Sequence, residues 1–132
     1  MRAEVPFRLT DPARPLIAVP VYVNDRGPYE FVLDTGASRT VIFDGVADEL
    51  GLQRGQVVEG HGAGGPLRFT LAEADAIAIG EARVEHVPIV IGPIDAIARN
   101  IRPLPAGVIG YTYLSRFRVL LDYPRSRLVI EA

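Results

Sequence analysis

Apolar and polar positions alternate with a period of two along most of this chain, the spacing of half-buried strands rather than of helices. Residues 1–15, broken by Pro6, Pro12 and Pro15, read as an irregular arm with a short edge strand around Val5–Leu9. Leu16–Val23 reads as a strand, and Pro20, which has no backbone donor, places it at an edge or beside a bulge. Asn24-Asp25-Arg26-Gly27-Pro28 is a turn signal, and Tyr29–Leu33 is the second arm of the resulting hairpin. Thr40-Val41-Ile42 is a short apolar piece. Beyond it, apolar residues at 43, 46, 47, 50 and 52 predict a short helix, with Asp44 placed to cap it and Gly51 to end it.

From residue 57 onward the chain is strand after strand. Val57-Val58-Glu59 leads into Gly60-His61-Gly62-Ala63-Gly64-Gly65-Pro66, where four glycines mark the tip of a hairpin whose return arm is Leu67–Leu71. A phosphate-binding loop does not fit this run, because no helix opens after Gly65 and neither Lys nor a hydroxyl residue closes it. Ala72–Ile79, Ala82–Val87 and Pro88–Ile91 read as further strands, and residues 92–100 as a loop or single helical turn. Val108-Ile109 is too short for an independent strand and reads as a buried apolar piece between Gly107 and Gly110. Thr112–Phe117 has the spacing of a short helix with Tyr113, Leu114 and Phe117 inward, and Val119–Tyr123 with Arg127–Ile130 forms a closing hairpin. Some eight to ten short strands and one or two short helices predict an all-β, closed or partly closed barrel filling one domain over residues 1–132.

Composition removes several kinds of chemistry. The chain has 132 residues, 48% of them apolar and 23% charged, enough to bury a core without staples. There is no Cys, so disulfides and thiolate chemistry are excluded, and His61 and His86 are too isolated to suggest a zinc site. A net charge of −2, without any basic run or aromatic pair, argues against a nucleic-acid partner. All 14 basic residues are Arg. No run approaches a membrane-spanning length and the first residues lack a leader pattern, so cytoplasm and periplasm both stay open.

The chemistry concentrates at Phe31-Val32-Leu33-Asp34-Thr35-Gly36-Ala37-Ser38, where an apolar strand stops at a carboxylate, a hydroxyl and a glycine. Alone, Asp-Thr-Gly is an ordinary turn. Its setting is less ordinary, because a glycine-rich hairpin follows, and then Gly107-Val108-Ile109-Gly110-Tyr111-Thr112-Tyr113-Leu114-Ser115-Arg116-Phe117 and Leu121-Asp122-Tyr123-Pro124. In this ordered set, over roughly residues 16–131, the chain resembles the retropepsin-like aspartic proteases, in particular their small single-domain bacterial members.

The resemblance implies hydrolysis of peptide bonds in extended polypeptides, with no cofactor and no metal. Asp34, Thr35 and Gly36 would be the catalytic motif: Asp34 the water activator, Thr35 a brace across a two-fold axis, and Gly36 a backbone donor close to the carboxylate. Ala37, Ser38, Gly62, Ala63, Gly64, Gly65 and Ile109 would contact substrate, with the glycine hairpin as a flap. Pocket walls or core would come from Val32, Ile42, Val58, Ile89, Ile91, Ile109 and Leu114. Two departures stand out. Ser38 replaces an aspartate of the retroviral enzymes, and Tyr111 replaces the arginine paired with it, so viral substrate preferences do not transfer. Ala37 also lacks the hydroxyl that pepsin-like enzymes carry there.

Aspartic proteolysis needs two carboxylates sharing one proton, and this chain has one Asp-Thr-Gly. Asp122, in Leu-Leu-Asp-Tyr, lacks the motif and reads as a turn residue. The resemblance therefore implies a homodimer with its active site on the two-fold axis. The alternative on the same fold is a silent peptide-binding or assembly module.

Overall fold

A computed structural model describes residues 1–13, 15–62, 65–94 and 98–132. The strands are β1 (Arg2–Pro6), β2 (Arg8–Leu9), β3 (Ile17–Val23), β4 (Arg26–Leu33), β5 (Thr40–Phe43), β6 (Val57–Gly62), β7 (Gly65–Ile79), β8 (Ala82–Gly92), β9 (Gly107–Ile109), β10 (Arg118–Asp122) and β11 (Arg127–Glu131). Two short helices, α1 (Asp44–Leu50) and α2 (Tyr111–Leu114), and a 3-10 turn at Ala98–Asn100 complete the described elements.

The larger sheet runs β2-β3-β4-β9-β5-β8-β7-β6, and a further pairing between β3 and β7 closes its middle into a ring. The predicted barrel is therefore the observed one. A separate three-stranded sheet, β1-β11-β10, is antiparallel throughout.

Local chemistry explains most of the joints. Asn24 and Asp25, at φ 51° and 63°, form a two-residue turn of the mirror-image type that suits twisted hairpins, so β4 starts at Arg26 and the loop is shorter than the composition suggested. Pro20 is internal to β3. It falls between Ile17 and Ala18, which pair with β2, and Tyr22 and Val23, which pair with β7, so its missing donor lies where neither strand reaches. Leu67–Leu71 and Ala72–Ile79 merge into one 15-residue strand, β7, and the two apolar runs after Gly80 merge into β8.

Helix α1 ends as expected, with Gly51 at φ 68° and Leu52 N–H returning to the Ala47 carbonyl. Its start differs from the expectation. Phe43 is the capping residue, and the Asp44 carboxylate accepts from Arg54 (3.1 Å), which also holds Asp48 (2.7 Å). Because Phe43 completes β5, the chain enters the helix straight from a strand and leaves Asp44 inside the first turn, where its charge still suits the helix N-terminus.

The principal correction concerns Val108-Ile109. These residues do form a strand, β9, which slots between β4, parallel to it, and β5, antiparallel to it. Its pairs on one side are Phe31–Gly107, Val32–Val108 and Leu33–Ile109, and on the other Val41–Val108 and Ile42–Gly107. Three residues suffice because both edges are bonded.

The slot is narrow: a Cβ on Gly107 would lie 2.0 Å from the Val41 carbonyl oxygen and 2.7 Å from the Phe31 ring. Side chains then sort by parity. Ile42, Ile91 and Ile109, all at most 1% exposed, enter the main core with Phe31, Ile77, Tyr113 and Leu128. Burial of each such isoleucine stabilises the fold by roughly 1.5–3 kcal/mol. Val32, Val41 and Val108 point to the opposite side, into a smaller cluster with Phe43, Ala98 and Ile101.

Gly107→Ala should therefore destabilise the protein by about 3 kcal/mol or more, since the methyl runs into the Val41 backbone and the Phe31 ring. Chemical denaturation would register this as a lowered midpoint, whereas Gly45→Ala, at a site with open space around its Cβ, should leave the midpoint unchanged or raise it.

Candidate active site

Asp34 follows directly on β4, and its backbone is held by the neighbouring β9. Its N–H donates to the Ile109 carbonyl (3.0 Å), extending the ladder one residue past Leu33. The chain then turns back on itself. Ala37 N–H donates to the Asp34 carbonyl (3.2 Å), and Gly36 N–H donates to the Asp34 carboxylate Oδ1 (2.9 Å). That last bond fixes one carboxylate oxygen by a backbone dipole and leaves the other open.

The far side of the loop is bound to the start of α2. Tyr111 N–H donates to the Ala37 carbonyl (2.9 Å), and Gly110 N–H donates to Thr40 Oγ1 (3.1 Å). Thr40 N–H in turn donates to Thr112 Oγ1 (3.2 Å). Thr40 is a buried polar residue of the core, 0% exposed, and its hydroxyl and amide link the loop's end to residues about seventy positions later. Gly110 permits this approach, since a Cβ there would sit 2.4 Å from the Arg39 carbonyl oxygen.

Between these fixed ends Asp34, Thr35, Gly36, Ser38 and Arg39 are exposed and Ala37 is half-buried. The result is a rigidly framed loop whose middle faces outward. Helix α2 is held from behind by Tyr113, whose phenol donates to the Ala82 carbonyl and packs on Phe117 at a ring separation of 5.2 Å. Burial raises the Tyr113 phenol above its ordinary value, so it stays protonated and serves as a fixed donor.

Asp34 opens onto a cleft of about 580 Å³. Its floor is lined by Gly36, Ala37, Ser38 and Arg39, with Val41, Phe43, Val90 and Val108 from the sheet. The opposite wall comes from the β6–β7 hairpin through Val58, Glu59, Gly60, His61, Leu67 and Phe69. The hairpin register runs from Val57–Thr70 to Gly62–Gly65, so the glycine run does turn a hairpin at this cleft.

Asp34, Gly36, Ala37 and Ser38 thus share one cleft, while Thr35 is exposed beside it without lining it. Gly62 and Gly65 pair at the hairpin's end, beyond the lining residues. Ala63 and Gly64 lie outside the described residues. Ile109 is fully buried in the main core, and its neighbour Val108 lines the cleft in its place. Of the other candidate wall residues, Val58 reaches the cleft and Ile42, Ile89 and Ile91 are core. Asp122 ends β10 in the other sheet, where its carboxylate accepts from the Arg125 N–H (3.2 Å).

Several lining residues escape a reading of the sequence. Val41, Val90 and Val108 form one row across β8-β5-β9, which the register makes plain and the strand period alone does not. Arg39 carried no signal other than its position two residues after Ala37. Among the described residues there is no group of three or more His, Cys, Asp or Glu that could hold a metal ion.

Residues 19–113 match the family model described as "Aspartyl protease", a span that includes both Asp34 and the Gly107–Tyr113 segment. The chain belongs to the retropepsin-like aspartic protease family. Among solved structures it is similar to a retropepsin-like aspartic protease from Rickettsia conorii, at 16% identity and a TM-score of 0.67, covering 98% of this chain and 91% of that one. It is also similar to EIAV protease complexed with the inhibitor HBY-793, at 21% identity and a TM-score of 0.57, covering 82% of this chain and 93% of that one. At these identities the likeness is one of fold. No curated protein sequence matches the chain.

The frame around the family motif rests on Thr40. Thr40→Val keeps the shape and removes the acceptor for Gly110 N–H, which should cost about 1–3 kcal/mol. Thr40→Ser should recover most of it. Urea midpoints of the two variants would separate the hydrogen bond from packing.

Proposed function

We propose that this protein is an aspartic endopeptidase that works as a homodimer on extended polypeptides. The observation that carries the reading is the placement of Asp34: exposed, fixed by the Gly36 N–H, and open to a cleft roofed by a hairpin. A cleft between a sheet and a hairpin suits a substrate lying as an added strand, with its side chains entering apolar walls such as Val41, Phe69 and Val108.

The chemistry needs a second acid beside the first. Asp34 is exposed in the single chain, and Glu59, the other carboxylate lining the cleft, belongs to the hairpin roof. A second copy related by a two-fold axis would bring a second Asp34 to the same point. Two carboxylates that close cannot both ionise cheaply, so they hold one proton between them. The charged one takes a proton from water as the water oxygen attacks the scissile carbonyl. The protonated one donates to the carbonyl oxygen as negative charge builds there. Collapse of the tetrahedral intermediate then breaks the C–N bond as the amine receives a proton. Thr35, exposed next to Asp34, would meet the partner at the axis and brace the two loops. Ser38 would offer a neutral hydrogen bond to the peptide, and the β6–β7 hairpin would form the flap that closes over it.

Asp34→Asn should lower hydrolysis of a diverse peptide pool by at least about a thousandfold while leaving the unfolding midpoint near that of the parent. An unchanged rate would overturn the assignment. Sharing of the site makes a further demand. Excess Asp34→Asn chains titrated into a fixed amount of the parent should suppress its activity in proportion to mixed-dimer formation, whereas an unaffected rate would mean that one chain suffices. Sedimentation velocity on the same mixtures would report dimer content directly.

A further inference from the structure

The cleft is apolar along most of its lining but carries ionisable side chains at four points: Asp34, Arg39, Glu59 and His61. Asp34 is assigned to the chemistry, and Glu59 and His61 belong to the hairpin roof. Arg39 stands apart. It is the one cation of the floor and follows the motif directly, between Ser38 and the buried Thr40.

Its backbone cannot move far. The Arg39 carbonyl is packed against Gly110, and the next residue is pinned through both its amide and its hydroxyl. The guanidinium is a different matter. Arg8, Arg54, Arg83 and Arg125 pair with carboxylates, and Arg26, Arg99 and Arg102 donate to backbone carbonyls; the Arg39 side chain, like those of several other exposed arginines, has no ion pair and no hydrogen bond among the described residues, and it is the arginine that lines the cleft. An exposed arginine on a fixed backbone, beside a cleft open to ligand, offers a planar fork of donors that matches a carboxylate.

We infer that Arg39 is a specificity residue, selecting polypeptides that carry an acidic side chain close to the cut bond among otherwise hydrophobic ones. This rests on the proteolytic reading for the word "cut"; the binding preference does not depend on it.

The test uses peptide pairs identical except for Glu or Gln at one position, scanned over the residues flanking the cleaved bond. The parent should show a Glu/Gln ratio in kcat/KM of about ten at one position, the size expected of one charge-assisted contact at a part-exposed site. Arg39→Gln should bring that ratio towards one, and Arg39→Glu should invert it in favour of Lys or Arg at the same position. Raising salt from 0.05 to 0.5 M should shrink the parent's ratio and not the variant's. An equal ratio in parent and Arg39→Gln overturns the inference, as does a parent ratio near one at every position. Fluorescence anisotropy with the same labelled peptides and the Asp34→Asn protein measures preference without hydrolysis. Preferential binding of the Glu peptides without any cleavage by the parent would retain Arg39 and remove the protease reading; cleavage without preference would do the reverse.

Discussion

The structure depends on a three-residue strand that fits between two others only because a glycine opens it. Gly107 has no room for a methyl group: Val41 backbone lies on one side and the Phe31 ring on the other. Once β9 is in the slot, its backbone is bonded along both edges, and each bond has a consequence further along. The bond from Asp34 N–H to the Ile109 carbonyl prolongs β4 to the residue that carries the proposed catalytic carboxylate. The residue after Ile109 brings Gly110 N–H to Thr40, and the next brings Tyr111 N–H to Ala37, so the loop from 34 to 40 is fastened at both ends by one short segment. Loops carry chemistry well when a rigid scaffold holds their ends. Here the scaffold is mostly backbone, which makes the loop's geometry insensitive to the identity of its exposed side chains.

The same inserted strand divides core from cleft. Adjacent residues of a strand face opposite sides, and register aligns the neighbours. Ile42, Ile91 and Ile109 therefore fill the main core while Val41, Val90 and Val108, one residue back in each strand, line the cleft. A slip of one residue in β9 would turn Ile109 towards the cleft and Val108 into the core, burying a valine where an isoleucine fits. The hydrophobic core thus specifies the cleft's lining, and the cleft in turn needs no dedicated elements beyond the β6–β7 hairpin that roofs it.

Much of this was legible in the sequence, for definite reasons. Alternation identified the strands, the Gly60–Gly65 run identified a hairpin, and the termination of an apolar strand at Asp34-Thr35-Gly36 pointed to the loop that opens onto the cleft. What stayed hidden depends on contacts between distant residues. Val108-Ile109 has too few residues for local propensity to announce a strand, and its pairing partners lie about seventy positions away. Asp44 looks like a helix cap by spacing, yet the strand before it supplies the cap and Arg54 takes its carboxylate. Ile109 and Val108 are equally apolar, so only the register tells which faces the core. Arg39 is one arginine among 14, and its significance is that the fold places it in the lining of the cleft.

The contrast between a rigid frame and an exposed carboxylate bears on how a shared site would assemble. Were the Asp34 loop loose, a second chain would have to order it on docking, and the conformational entropy lost would weaken association. Here the loop is already bonded at Ile109, Tyr111 and Thr40, and one carboxylate oxygen already takes the Gly36 N–H. In the proposed dimer, two such frames meet as rigid bodies, and the unfavourable term left is the proximity of two carboxylates. One proton relieves that term, and the same proton is the acid that the reaction requires. Dimer stability and catalytic competence then rest on a single protonation state, so conditions that remove the shared proton weaken the pairing and silence the chemistry together.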